Sequence, residues 1–178
     1  MKMAKRNKQK TKPGNKRANK DREARATELM SNSIFAIRVL SQMHTTGSYR
    51  PHSVDDMMDY TRNGFSGYQE KFEGDVLAKL RGAKVIEPVY QKETLAGFEL
   101  TKKGRQMALT SEAEGLLKKM EPEREYTAHE LMHLALQRNP MRFGQEVLSR
   151  TKMFGMLKQT SRKPAGYTLT QRVQEYLA

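Results

Sequence analysis

His129, Glu130 and His133 are the residues of this chain whose types and spacing point most directly to chemistry. On a helix, two imidazoles four positions apart share one face and can hold a divalent metal, while a neighbouring carboxylate can activate a metal-bound water for hydrolysis. The candidates for a third ligand, Glu146 and Glu175, sit in no recognisable downstream motif, and bulky Tyr126 stands three positions before His129. A second group points elsewhere. Arg142, Gln145, Arg150, Thr151, Lys152, Lys158, Arg162 and Lys163 are accompanied by Glu146 as the only acid over 142–163. Arginine and glutamine side chains can reach base edges in a major groove, an arginine can enter a narrow minor groove, and lysines neutralise phosphates.

The elements that must position both groups are written twice. Gly97-Phe98-Glu99-Leu100-Thr101 recurs 69 positions later as Gly166-Tyr167-Thr168-Leu169-Thr170. Ser53-Val54-Asp55-Asp56-Met57-Met58-Asp59-Tyr60 aligns at an offset of 74 with Thr127-Ala128-His129-Glu130-Leu131-Met132-His133-Leu134. Each of the second pair opens on a hydroxyl residue and carries a carboxylate three positions on, the capping box that starts a helix. Glu130 therefore has a structural duty, and Asp55 and Asp59 stand where the other copy has His129 and His133. His129-Glu130-Leu131-Met132-His133 resembles the H-E-x-x-H motif of zinc metallopeptidases, but a helix cap and two surface histidines account for it without metal. No phosphate-binding glycine loop, nucleophile elbow or paired-acid nuclease motif accompanies it. The expectation is a protein with no catalytic residues, metal site or cofactor.

Hydrophobic periodicity fills in the rest of each copy. Leu29, Ile34, Ile37, Val39, Leu40 and Met43 predict a first helix, Ser53 to Tyr60 a second, and 68–81 a third, with Phe72, Val76, Leu77 and Leu80 on one side and Gly82 at its end. Val85-Ile86 and Val89-Tyr90, a polar turn over 91–96, and Phe98 alternating to Leu100 predict a two-stranded hairpin. The second copy repeats this order: a run from Lys102 to Lys119, a helix over 127–137, a third from Gly144 or Gln145 to Gln159, a short wing over 160–165, the Tyr167/Leu169 strand and a closing helix with Val173, Tyr176 and Leu177.

Three helices followed by a hairpin whose return strand reads Gly-Phe-Glu-Leu-Thr-Lys-Lys-Gly-Arg resemble the winged helix, whose members often carry aromatic-x-Leu-Thr-x-x-Gly-Arg there. The resemblance covers roughly 27–178, and the second copy departs from it at Gln171-Arg172-Val173. It implies a mainly α fold with small β-hairpins (α+β), as two tandem winged-helix modules over 27–110 and 111–178. It further implies a third helix in the major groove of duplex DNA with the wing on the backbone or minor groove.

Charge divides the labour among these parts. The net charge of +13 separates into +9 over residues 1–25, −2 over 26–100 and +6 over 101–178. Residues 1–26, with Lys5, Arg6, Lys8, Lys10, Lys12, Lys16 and Arg17, have too little apolar content to order themselves and read as a disordered basic arm for a polyanion. Asp55, Asp56, Asp59, Glu70 and Glu73 make the first module a poor DNA reader and a candidate protein-binding face, for a partner or a second copy. The chain has no cysteine, no membrane-spanning apolar run and a polar N-terminus, which gives a cytoplasmic protein, nucleoid-associated in a bacterium or phage, as the expectation. The reading is a DNA-binding regulator of transcription or replication, with duplex DNA as partner and no membrane. A protein-binding adaptor, an RNA- or ribosome-associated factor, since the arm does not separate DNA from RNA, and a zinc metallopeptidase through His129, Glu130 and His133 stand as alternatives.

Overall fold

The computed structural model describes residues 13–47, 49–62, 64–160 and 164–178, with side chains from residue 18 onward. Helix α1 (Pro13–Ser31) corrects the expectation of a disordered arm over 13–26. Pro13, with a fixed φ and no N–H to lose, stands at the first helical position. The residues after it include alanines and long straight-chain cations that lose little freedom in a helix. The helix is also docked: Met30 is fully buried, and the Glu23 carboxylate accepts from Lys84 at 2.7 Å and Lys103 at 2.9 Å. Composition counts charges but not such tertiary partners. Lys5, Arg6, Lys8, Lys10 and Lys12, and the side chains of Lys16 and Arg17, lie outside the described residues.

The hydrogen bonds from the two ammonium groups hold the Glu23 carboxyl well below its usual 4.5, at about 2. A carboxylate with a depressed folded pKa contributes stability above its unfolded pKa and loses it as pH falls through the folded one. The protection of α1 amides, taken relative to their intrinsic exchange rates at each pH, is therefore expected to fall as pH drops from about 4.5 to about 2. In Glu23→Gln it should be low already at neutral pH, and identical protection in the two proteins would exclude this anchor.

Helix α2 (Ile34–Gly47) starts where Ser33 Oγ accepts from Ala36 N, and it buries Ala36, Ile37, Val39, Leu40 and Met43. The break at Asn32 and Ser33 puts Leu29 on α1, 51% exposed, rather than in one helix with Ile34. His52 then pairs with Phe98 through backbone bonds of 2.9 and 2.8 Å. Helix α3 (Val54–Asp59) carries the expected capping box, with Asp56 N donating to Ser53 Oγ and Ser53 N to the Asp56 carboxylate, both at 3.0 Å.

Helix α4 spans 69–82 as α-helical Gln69–Phe72, a π turn Glu73–Leu77 and α-helical Ala78–Gly82. Strands β1 (Ile86–Gln91) and β2 (Thr94–Leu100) pair antiparallel up to Gln91 and Thr94. The expected six-residue turn thus shrinks to Lys92 and Glu93, whose φ of 46° and 67° suit a two-residue hairpin. Helix α5 (Lys102–Met107) follows the Thr101 cap.

The run from Lys102 to Lys119 is two helices, because Ala108 turns extended (ψ 141°) and Thr110 Oγ1 accepts from Ala113 N to start α6 (Ser111–Lys119). Next come β3 (Tyr126–Thr127), α7 (Ala128–Leu134), α8 (140–153, with a π turn Phe143–Leu148), β4 (Leu157–Gln159), β5 (Gly166–Leu169) and α9 (Gln171–Leu177). Strand β5 lies between β3 and β4, both antiparallel to it.

The fold is therefore mixed α+β, and the elements from α2 to β2 recur in the same order from α6 to β5, whereas α1 has no counterpart. Tyr126 pairs with Tyr167 as His52 pairs with Phe98. Lys84 and Gly155 both turn left-handed after the third helix, with φ of 56° and 66°. Val85 N donates to Leu80 O as Met156 N does to Thr151 O, and the hydroxyls of Thr101 and Thr170 donate to the carbonyls of Lys84 and Gly155.

The halves diverge after the repeated Leu-Thr. A Cβ on Gly104 would lie 2.0 Å from Val85 O, so α5 comes up against the backbone just before β1 as only glycine permits. Helix α9, with Val173 in the corresponding place, reaches the first half instead. Arg38 Nε donates to Tyr176 O at 3.0 Å, Arg62 to Leu177 O and Arg172 to Ser31 O, while the Tyr176 hydroxyl donates to Glu114. Two cations thus cover carbonyls at the negative end of α9. Burial first, and the Glu114 carboxylate second, push the Tyr176 phenol above its ordinary value. One continuous core results, from Met30 through Leu40, Leu80 and Leu116 to Phe154 and Tyr176. No helix among the described residues is long and apolar enough to cross a membrane.

Candidate nucleic-acid interface

Helix α8 is started by Asn139, whose Oδ1 accepts from the N–H groups of Met141 (3.0 Å) and Arg142 (3.1 Å), with Pro140 at the first helical position. Phe143, Val147, Thr151 and Phe154 form its buried stripe. The opposite side presents Arg142, Gln145, Ser149 and Lys152, all exposed, at spacings of three, four and three. Lys152 Nζ donates to Gln159 Oε1 at 2.8 Å and lies 5.7 Å from the Tyr167 ring centroid, which ties α8 to the hairpin. Lys158 is exposed on β4, beside this contact.

Arg142 is already paired, at 2.7 Å with Glu146 and 3.6 Å with Glu112. Its guanidinium pKa is raised by the hydrogen bond to Glu146. Arg162 and Lys163 lie outside the described residues. Arg150 and Thr151, expected among the readers, are turned inward. Thr151 is fully buried and its hydroxyl donates to Val147 O at 2.9 Å. Arg150 Nη1 donates to Ala108 O at 2.6 Å and Arg105 O at 3.2 Å, at the end of α5, and burial lowers its pKa. Ser149 is absent from the charge-based set of readers, although the spacing of Phe143, Val147, Thr151 and Phe154 contains its outward phase.

At the corresponding places on α4, offset by 71, stand Lys71, Gly74, Ala78 and Arg81. The middle pair has no side chain that could reach a ligand. The end of α4 is also occupied: a Cβ on Gly82 would meet the Ala26 side chain of α1 at 3.4 Å. Around it the expected carboxylates are exposed at Asp55, Asp59, Glu70 and Glu73, with Gln69 donating to Glu73 at 2.8 Å. Asp56 differs, because its carboxylate serves the α3 cap; the backbone and hydroxyl bonds of Ser53 lower its pKa.

The histidine pair lies on α7 with the Nε2 atoms of His129 and His133 3.3 Å apart. The Glu130 carboxylate belongs to the α7 cap instead, accepting from Thr127 N at 2.8 Å and Thr127 Oγ1 at 2.9 Å, with Arg124 at 3.7 Å. Those Thr127 bonds hold its pKa below the usual value. The group that a peptidase would use to activate water is thus committed to starting the helix. Among the described residues no third histidine, cysteine or carboxylate joins the pair in a metal-holding cluster. No protein-family model, curated protein or solved structure matches the chain.

Proposed function

We propose that the chain is a tandem winged-helix regulator of transcription or replication that binds duplex DNA through its second module. The observation that carries this reading is the contrast between equivalent positions: Arg142, Gln145, Ser149 and Lys152 on α8 against Lys71, Gly74, Ala78 and Arg81 on α4. A row of amide, hydroxyl and ammonium groups on one exposed helix face suits base edges and phosphates, and Lys158 on the adjoining hairpin extends it to the backbone. The exposed Asp55, Asp59, Glu70 and Glu73 repel phosphates and suit a basic protein surface, so the first module is the protein-contacting half.

The test is duplex binding by fluorescence anisotropy at about 150 mM salt, where loose electrostatic attachment is weakened. Gln145→Ala/Ser149→Ala/Lys152→Ala is expected to bind at least tenfold more weakly, a loss of about 1.4 kcal/mol or more. Arg81→Ala should change affinity less than twofold. Equal affinity of the triple variant and the parent would remove α8 as the reader, and preference for structured RNA over duplex DNA would favour the RNA-associated alternative.

A further inference from the structure

We propose that His129 and His133 form a two-imidazole chelating site for one borderline divalent transition ion of the zinc or nickel type, with its other positions open to water or to a partner's donor. The proposal stands independently of the nucleic-acid reading.

Of the chain's four histidines, His52 is buried with one ring nitrogen 3.0 Å from the Tyr60 hydroxyl and the other 3.0 Å from Gly47 O. His44 is only partly exposed, whereas His129 and His133 are both exposed. The two rings of the pair have their centroids 4.4 Å apart but their Nε2 atoms 3.3 Å apart, so the nitrogens are turned toward each other. Two nitrogens bound to zinc at about 2.0–2.1 Å with a tetrahedral angle between them stand about 3.3 Å apart. The rings are therefore already at bidentate separation.

The surroundings define what kind of site this is. Beyond the pair opens a depression lined by Met132, Leu136, Gln137 and Arg138, which contributes no carboxylate. Glu130 is engaged at the cap, so the protein supplies two imidazole nitrogens as donors and no carboxylate. Imidazole donors favour zinc, nickel and copper over magnesium or calcium. The first copy has Asp55 and Asp59 at the corresponding places, hard oxygen donors without that preference, so the site belongs to the second copy alone. It braces successive turns of α7 immediately before the turn into α8.

The full chain is titrated with zinc chloride and with nickel chloride by calorimetry in a non-coordinating buffer. One equivalent of each is expected to bind, with affinity at least tenfold lower in His129→Ala and in His133→Ala. Both substitutions fall at exposed positions, and circular dichroism checks that the fold persists. Glu130→Gln should retain the parent's affinity within twofold, and magnesium should give no heat. No uptake by the parent, or uptake unchanged in the histidine variants, overturns the site. Loss of binding in Glu130→Gln would overturn the two-imidazole assignment, because it would make the carboxylate a ligand.

Discussion

Replacing Arg150 with alanine is expected to destabilise the entire chain by about 3 kcal/mol while leaving the exposed face of α8 unchanged. Arg150 donates from the second half to the carbonyls of Arg105 and Ala108, where α5 ends and the connection to α6 begins. A hydrogen bond from a charged donor contributes about 1.5–3 kcal/mol, and truncation leaves both carbonyls without this donor. Urea unfolding followed by far-ultraviolet dichroism and by tyrosine fluorescence should show the two signals shifting together, since α9 and Arg150 tie the halves into one core. Lys152→Ala, two positions on and exposed, should stay within about 0.5 kcal/mol of the parent. An unchanged midpoint for Arg150→Ala with a large loss of DNA affinity would mean that the side chain faces outward after all.

Gly97→Ala is expected to cost about 3 kcal/mol or more, and the same change at its repeat partner, Gly166→Ala, only about 1 kcal/mol. Gly97 has a φ of +147°, and a Cβ there would lie 2.4 Å from His52 O and 2.7 Å from His52 C. Both atoms are backbone and belong to the His52 to Phe98 pairing, so relief requires pulling a strand crossing apart. At Gly166 the added carbon meets the flexible Glu125 side chain rather than backbone, and that side chain can swing aside at the cost of its own contacts, the hydrogen bond from Thr160 among them. Thermal melts of the two variants decide it. Equal costs would mean that the close approach at Gly97 is relieved more easily than its backbone neighbours allow.

This pair also shows how far the chain could be read from its letters. The repeated Gly-aromatic-x-Leu-Thr and the two hydroxyl-x-x-carboxylate starts located β2, β5, α3 and α7, because short local motifs carry their own hydrogen-bonding rules. Glu130 was legible for the same reason, and so was its conflict with a hydrolytic role. The docking of α1 was not legible, since it depends on Lys84 and Lys103 reaching Glu23 across the sequence. Arg150 was misplaced because a charged residue among other cations reads as surface. Only the packed structure shows the α5 carbonyls waiting for it. The phase of α8 is written in its buried stripe, and Ser149, being uncharged, carries no signal in the charge pattern.

The grip of Arg38 and Arg62 on the end of α9 makes the two copies a coupled pair rather than two beads on a string. The carboxylate-bearing α3–α4 face and the Gln145 face of α8 are consequently held at a set distance and angle within one folded body. A molecule seated on one face meets whatever occupies the other in a single register, and a change in the clasp would alter that register without touching either face.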